Sequence, residues 1–112
     1  MKILLDECLP IDLRHSFSTH EAYTVEWAGL KGKKNGELLD AAELLAGYEA
    51  LVTMDQGVEH QQNLINRRIA LLVLAARSNQ LEALRPLVPE ALTALESMGP
   101  GTIVRVGLSS LR

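Results

Sequence analysis

The sequence predicts a three-layer α/β/α domain with a mostly parallel central sheet. Short apolar segments alternate with segments of helical periodicity along the 112 residues, which is typical of a parallel sheet covered by helices on both faces. Segment 69–74 (IALLVL) is apolar at every position, and this indicates a central strand buried on both sides. A chain of this length forms one core, so we assign residues 1–112 to a single domain.

The first elements are a short apolar strand, a helix and a second strand. Residues 3–5 are apolar and predict the first strand. Pro10 suits a first helical turn, and Leu13 and Phe17 follow it at helical spacing. Segment 21–26 (EAYTVE) alternates and is rich in residues that favour strands, so it predicts the second strand.

The middle of the chain predicts a second helix and two further strands. Asn35 is a plausible N-cap, and apolar residues recur at helical spacing from there to Gly47. Residues 50–54 predict the third strand and residues 69–74 the fourth. The polar segment 56–68 between them holds at most one helical turn.

A helix and an edge strand complete the domain. Residues 81–95 have helical periodicity, but Pro86 lies inside this segment and should kink or restart the helix. A Gly-Pro-Gly turn at 99–101 precedes a last strand over 102–106. Arg67 and Arg68 precede the fourth strand, and we interpret them as surface charge at the amino end of the sheet.

Composition excludes several classes of protein. One cysteine rules out an internal disulfide and a cysteine-based metal site, and it favours a reducing cytoplasm. The longest apolar run, 69–76, is too short to cross a membrane. The acidic start of the chain does not resemble a signal peptide, so we expect a cytoplasmic protein without a membrane partner. A net charge of −3 argues against tight non-specific binding to duplex nucleic acid, but it permits a nuclease with a local basic rim.

Acidic residues follow two of the predicted strands. Asp6 and Glu7 come directly after the first strand, and Asp55 comes after the third. Glu37 lies in the first turn of the helix between them. The carboxyl ends of parallel strands meet at one edge of a sheet, so these carboxylates should lie together and need a cation between them. Oxygen ligands without cysteine suit Mg²⁺ or Mn²⁺. Taken singly, each acid could instead be a helix cap, a dipole partner or a turn residue.

Three stretches, MKILLDECLP, NGELL and LVTMD, resemble in order and spacing the PIN-like domains of the short DUF5615 type. The resemblance covers nearly the whole chain. It implies a PIN-like fold and a metal-dependent ribonuclease, commonly the toxin of a bacterial toxin–antitoxin pair. It also implies that Asp6, Glu37 and Asp55 are catalytic and hold Mg²⁺ or Mn²⁺. The implied partners are RNA, an antitoxin protein and a second copy of the chain.

Two positions depart from the family pattern. Gly57 stands where the family has a second acid after the third strand, and Asn35 stands where it commonly has an aspartate. Glu7 and Glu59 are the candidates for additional acids. These departures leave open a second function, that of a binding module of the same fold that has lost catalysis.

Basic residues near the same edge are candidates for RNA contacts. Lys31, Lys33 and Lys34 precede the helix that carries Glu37, and Arg77 follows the fourth strand. They could contact phosphates beside the acids. For the three lysines, an ordinary solvated loop is an equal alternative.

A receiver-like phosphoacceptor domain is a third candidate function. Such a domain also has acids after its first strand and an aspartate after its third, and Ser78 would supply the hydroxyl after the fourth. It requires a lysine after the fifth strand. The last strand is followed here by GLSSLR, which contains none.

Overall fold

A computed structural model describes residues 1–33, 35–45, 47–55 and 67–107 of the chain. Within these residues, five strands form one sheet in which every neighbouring pair is parallel. The order of the strands across the sheet is β2-β1-β3-β4-β5. The strands are β1 (Lys2–Leu5), β2 (Glu21–Thr24), β3 (Ala50–Thr53), β4 (Ala70–Ala75) and β5 (Ile103–Gly107).

Helical segments connect the strands. A 3₁₀ helix (Ile11–Phe17) joins β1 to β2, and α1 (Asn35–Asp40) continues as a π-helix (Ala41–Leu45) before β3. Between β4 and β5 the chain forms α2 (Leu81–Leu84), a 3₁₀ turn (Arg85–Leu87) and α3 (Val88–Ser97).

Two apolar cores lie on opposite faces of the sheet. Side chains alternate along β1, so that Ile3 and Leu5 belong to one core and Leu4 to the other. The first core is closed by the 3₁₀ helix, α2 and α3, which contribute Leu13, Phe17, Leu84, Val88, Ala91 and Leu95. The second core is closed by α1 and the π-helix, through Leu38, Leu39, Ala41 and Ala42. The predicted three-layer α/β/α class is therefore confirmed.

The order of the strands reverses at β1. From β1 the chain crosses to β2 on one side, and it then returns to form β3 on the other side. In open parallel sheets, ligands bind outside the carboxyl ends of the two strands where the order reverses. Here those strands are β1 and β3, which the predicted acids follow.

Most predicted elements are present, with shifted ends. Strands β1 to β5 all form within the predicted segments or one residue beyond them. Pro86 interrupts the helix predicted over 81–95, because its nitrogen carries no hydrogen for an intrahelical bond. The polar segment 56–66 lies outside the described residues. In the described ranges, no helix has the length and apolar character needed to cross a membrane.

Candidate functional site

A buried threonine joins the ends of β1 and β3. Leu5 pairs with Val52, so Asp6 lies beside Thr53. The Thr53 side chain is fully buried, and its hydroxyl donates to Asp6 Oδ2 at 2.7 Å. The same hydroxyl oxygen accepts the N–H of Asp55 at 3.0 Å. The fold therefore places Asp6 and Asp55 at one edge of the sheet, after adjacent strands, as predicted.

Further hydrogen bonds fix the Asp6 carboxylate. Its Oδ1 accepts the N–H of Glu7 at 2.8 Å. Cys8 Sγ lies 3.7 Å from Asp6 Oδ2 and 3.5 Å from Thr53 Oγ1. Burial raises the pKa of the Cys8 thiol and the charge of Asp6 acts in the same direction, although the hydrogen bond with Thr53 opposes them. The thiol therefore stays protonated near neutral pH and can donate to the carboxylate.

A cavity of about 150 Å³ opens beside Asp6. Among the described residues, its charged lining consists of Asp6, Glu7, Glu26 and Lys31. This volume can hold several water molecules at about 30 Å³ each. Three carboxylates favour a cation, whereas Lys31 offers hydrogen-bond donors to an anion such as a phosphate. The lining therefore suits a cation and a phosphate bound together.

The donors at this edge fit a hard divalent cation. Asp6 and Asp55 offer carboxylate oxygens, which Mg²⁺ and Mn²⁺ prefer. Among the described residues, no group of three or more His, Cys, Asp or Glu side chains is arranged to hold a metal ion. Mg²⁺ commonly uses only one or two carboxylates and completes its shell with water and substrate phosphate, so two acids suffice for such a site.

The remaining predicted site residues are more scattered. Glu37 is exposed in the first turn of α1, and it is not among the described residues that line the cavity. Lys33 is half-buried and donates its N–H to the carbonyl of Leu30 at 3.2 Å. Arg77 is exposed just beyond the carboxyl end of β4. Lys34 and Glu59 lie outside the described residues.

The sequence analysis missed Thr53 and Glu26, whereas it grouped Lys31 with the lysines expected near the acids, and Lys31 does line the cavity beside Asp6. The signal for Thr53 was a single hydroxyl inside the apolar strand LVT, directly before the strand ends. Glu26 lies in a turn after β2, and only the fold of that turn brings it to the cavity beside Asp6. Sequence alone gives no sign of its approach.

Comparisons of the chain with protein-family models, with curated proteins and with solved structures found no match. The likeness to PIN-like domains therefore stays a prediction from the three sequence stretches.

Proposed function

We propose that this protein is a Mg²⁺- or Mn²⁺-dependent ribonuclease of PIN-like type, and that it is the toxin of a toxin–antitoxin pair. The observation that carries the proposal is the bonding of Asp6 and Asp55 to one buried hydroxyl at the point where the strand order reverses. The adjoining cavity adds two further carboxylates and a lysine. The toxin role and the antitoxin partner rest on the sequence resemblance alone.

Two hydrogen bonds hold the Asp6 carboxylate in one orientation. The Thr53 hydroxyl and the Glu7 N–H each hold one of its oxygens, so the carboxylate is positioned before any ligand arrives. Oδ1 accepts the single N–H of Glu7 and so keeps a further lone pair for a cation, whereas Oδ2 lies within reach of both the Thr53 hydroxyl and the Cys8 thiol. A divalent ion held by Asp6 and Asp55 would activate water and neutralise charge on the phosphate.

Basic residues would position the RNA chain. Lys31 lines the same cavity as Asp6 and would contact the phosphate undergoing cleavage. Arg77, which follows β4, would contact a neighbouring phosphate. Lys33 and Lys34 would complete the proposed basic rim. Asp55 is exposed, so water and substrate can both reach it.

The test is cleavage of a fluorescently labelled single-stranded RNA with Mn²⁺ or with EDTA. We expect cleavage in Mn²⁺ only, and its loss in Asp6→Asn and Asp55→Asn. Glu96→Gln, an exposed acid near the end of α3, is the matched control and should cleave like wild type. Cleavage that persists in Asp6→Asn or in EDTA would refute the proposal. RNA binding without cleavage in wild type would favour the binding module instead.

The strand order also supports the receiver-like candidate. Receiver domains have the order 2-1-3-4-5, which is the order observed here. Incubation with acetyl phosphate and Mg²⁺, followed by intact mass measurement, separates the two functions. A phosphoryl adduct that disappears in Asp55→Asn would establish the receiver function, whereas the ribonuclease proposal predicts no adduct.

A further inference from the structure

A groove of about 450 Å³ lies over the outer edge of β2. Its floor includes Ala22 and Tyr23. Ala22 packs toward the first core and Tyr23 toward the second. A groove that touches both of these residues must lie at the edge of the sheet, since they point to opposite faces.

The outer edge of β2 has backbone groups ready for another strand. The N–H groups of Glu21 and Val25, at the two ends of β2, both bond toward β1. Bonds toward one neighbour recur at every second residue of a strand, so the N–H groups of Ala22 and Thr24 point outward. The carbonyl of Ala22 points the same way, whereas that of Thr24 accepts the N–H of Ala28. Among the described strands, none pairs with this side of β2.

The two walls of the groove are apolar and exposed. Trp27 is 70% exposed and forms one wall, and Ile11, 53% exposed, forms the other. The Trp27 ring stacks on Tyr23 with 4.6 Å between the ring centroids. The N–H of Trp27 also donates to the Thr24 hydroxyl, which fixes the turn that carries the ring. The aromatic surface is therefore held in place without a partner.

Each wall of the groove carries one charged residue, and the two charges are opposite. Arg14 stands beside Ile11, and Glu26 stands beside Trp27. Both side chains are exposed, and neither forms an ion pair with a described residue. An occupant that carries one acidic and one basic residue would satisfy both charges.

A second copy of the chain fits this groove poorly. Antiparallel pairing of β2 with β2 of a second copy requires a twofold axis perpendicular to the sheet. Such an axis keeps the same face of each copy on the same side. The two 3₁₀ helices would then lie together, with Arg14 facing Arg14 and no gain in charge pairing.

We propose that an extended segment of a partner protein binds this groove and adds a sixth strand to the sheet at the outer edge of β2. Its backbone pairs with Ala22 and Thr24, and its apolar side chains pack on Trp27 and Ile11. One acidic and one basic side chain of the segment meet Arg14 and Glu26. This mode of binding takes affinity from backbone bonds and specificity from alternate side chains. Glu26 also lines the cavity beside Asp6, but the added strand lies on the opposite side of β1 from β3, which Asp55 follows.

The test begins with a display library of random octapeptides selected on the wild-type protein. Enriched peptides are synthesised, and their binding is followed by fluorescence of Trp27, the only tryptophan. We expect alternating apolar residues together with one acid and one base. Isothermal calorimetry, which needs no tryptophan, should show affinity at least about tenfold weaker in Trp27→Ala. In Arg14→Glu, selection should replace the acidic residue with a basic one.

Backbone methylation tests strand addition directly. Methylating the peptide nitrogens at alternate residues removes the donors on one edge of the added strand, and methylating the other set removes those on the opposite edge. One series should abolish binding, and the other should leave it within about twofold, because only one edge faces β2. Asp55→Asn, which lies outside the lining of the groove, should bind like wild type although it loses cleavage, and this separates the proposal from the ribonuclease.

Three results would overturn the proposal. The first is equal binding by both methylated series. The second is selection of peptides that bind Trp27→Ala as well as wild type, with melting curves showing that the variant is folded. The third is a dimer detected by light scattering at the assay concentration that dissociates in Trp27→Ala, since a second copy would then occupy the groove.

Discussion

Thr53 is the residue on which the site geometry depends. Its hydroxyl is buried, donates to Asp6 and accepts the N–H of Asp55. Valine has nearly the same shape and could fill the same space, but it would leave both partners without this hydrogen bond.

We therefore predict that Thr53→Val lowers the free energy of unfolding by about 1–3 kcal/mol, the usual cost of an unsatisfied buried polar group. Urea unfolding measures this. The double variant with Asp6→Asn should lose less than the sum of the two single losses, because both changes break the same bond. A hydroxyl of no structural importance would give a valine variant as stable as wild type and additive losses.

Gly107 is required by a close backbone approach at the end of β5. Its φ is +111°, and a Cβ built there would lie 2.6 Å from the carbonyl oxygen of Ala75. Gly47 also has a positive φ, of +68°, but a Cβ there would meet no atom of the described residues within 4 Å. Substitutions at the two positions can therefore be compared to distinguish the cost of backbone strain from the cost of steric overlap.

Gly107→Ala should thus destabilise the protein more than Gly47→Ala does. Strain alone costs about 1–2 kcal/mol, and the overlap with Ala75 adds to it at Gly107 only. Thermal melting of the two variants side by side checks the order. Equal losses would mean that β4 and β5 separate easily enough to accommodate a methyl group.

At the scale of elements, Arg67 ties α1 and the π-helix to the start of β4. Its Nη1 lies 2.7 Å from Asp40 Oδ1 and 3.5 Å from Glu43 Oε2. Glu43 Oε1 also accepts the N–H of Arg68 at 2.7 Å. The interpretation of Arg67 as mere surface charge was wrong. The fold brings Glu43 and Asp40 to it, which lie 24 and 27 positions away in the sequence.

These neighbours provide a matched pair of variants. Arg67→Met should cost about 1–3 kcal/mol, because it leaves the mostly buried Glu43 without a charged donor. Arg68→Met should stay within about 0.5 kcal/mol, because its side chain is exposed and Glu43 accepts from the backbone of Arg68. Chemical denaturation of both variants tests the difference, and similar stabilities would show that the ion pair contributes little.

Local patterns predicted the elements better than they predicted the contacts between elements. The apolar run of β4 and the break at Pro86 follow from hydropathy and backbone chemistry, which are local properties. The change from α1 to a π-helix after Asp40 carried no such signal. The approach of Glu26 to Asp6 also had no signal in the sequence, because it depends on a turn whose shape is set by packing.

For the candidate site, the topology rule for parallel sheets correctly brought Asp6 and Asp55 to one edge. It could not foresee Thr53, because a threonine in a strand is also an ordinary β-forming residue. The rule also failed to predict the position of Glu37, which does not line the cavity. The direction of a side chain in a first helical turn depends on how the helix packs. Strand ends could therefore be predicted from sequence, whereas the residues around them could not.

At the scale of the whole molecule, metal binding should appear as added stability. An ion that binds only the folded chain stabilises it by about 2.7 kcal/mol at one hundred times its dissociation constant. For a domain of about 100 residues this corresponds to a rise in Tm of roughly 10–20 °C. Weaker binding gives a smaller rise, and at concentrations above the dissociation constant the rise grows with the logarithm of the metal concentration.

The two aspartates should respond differently when they are replaced. Asp6 accepts hydrogen bonds from Thr53 and Glu7, so Asp6→Asn should lower the Tm in EDTA as well as reduce the response to metal. Asp55 is exposed, and its bond to Thr53 is donated by its backbone N–H, which asparagine keeps. Asp55→Asn therefore preserves this bond and serves as the probe of metal binding.

The decisive measurement is thermal melting of wild type, Asp55→Asn and the control Glu96→Gln, each in EDTA and over a series of Mn²⁺ concentrations. The Tm of wild type and of Glu96→Gln should rise with Mn²⁺, because the free energy of binding adds to that of folding. The rise should shrink or vanish in Asp55→Asn, with its own Tm in EDTA as the reference. Identical responses of all three proteins would mean that Mn²⁺ binds elsewhere or not at all, and the metal-dependent mechanism would then be wrong.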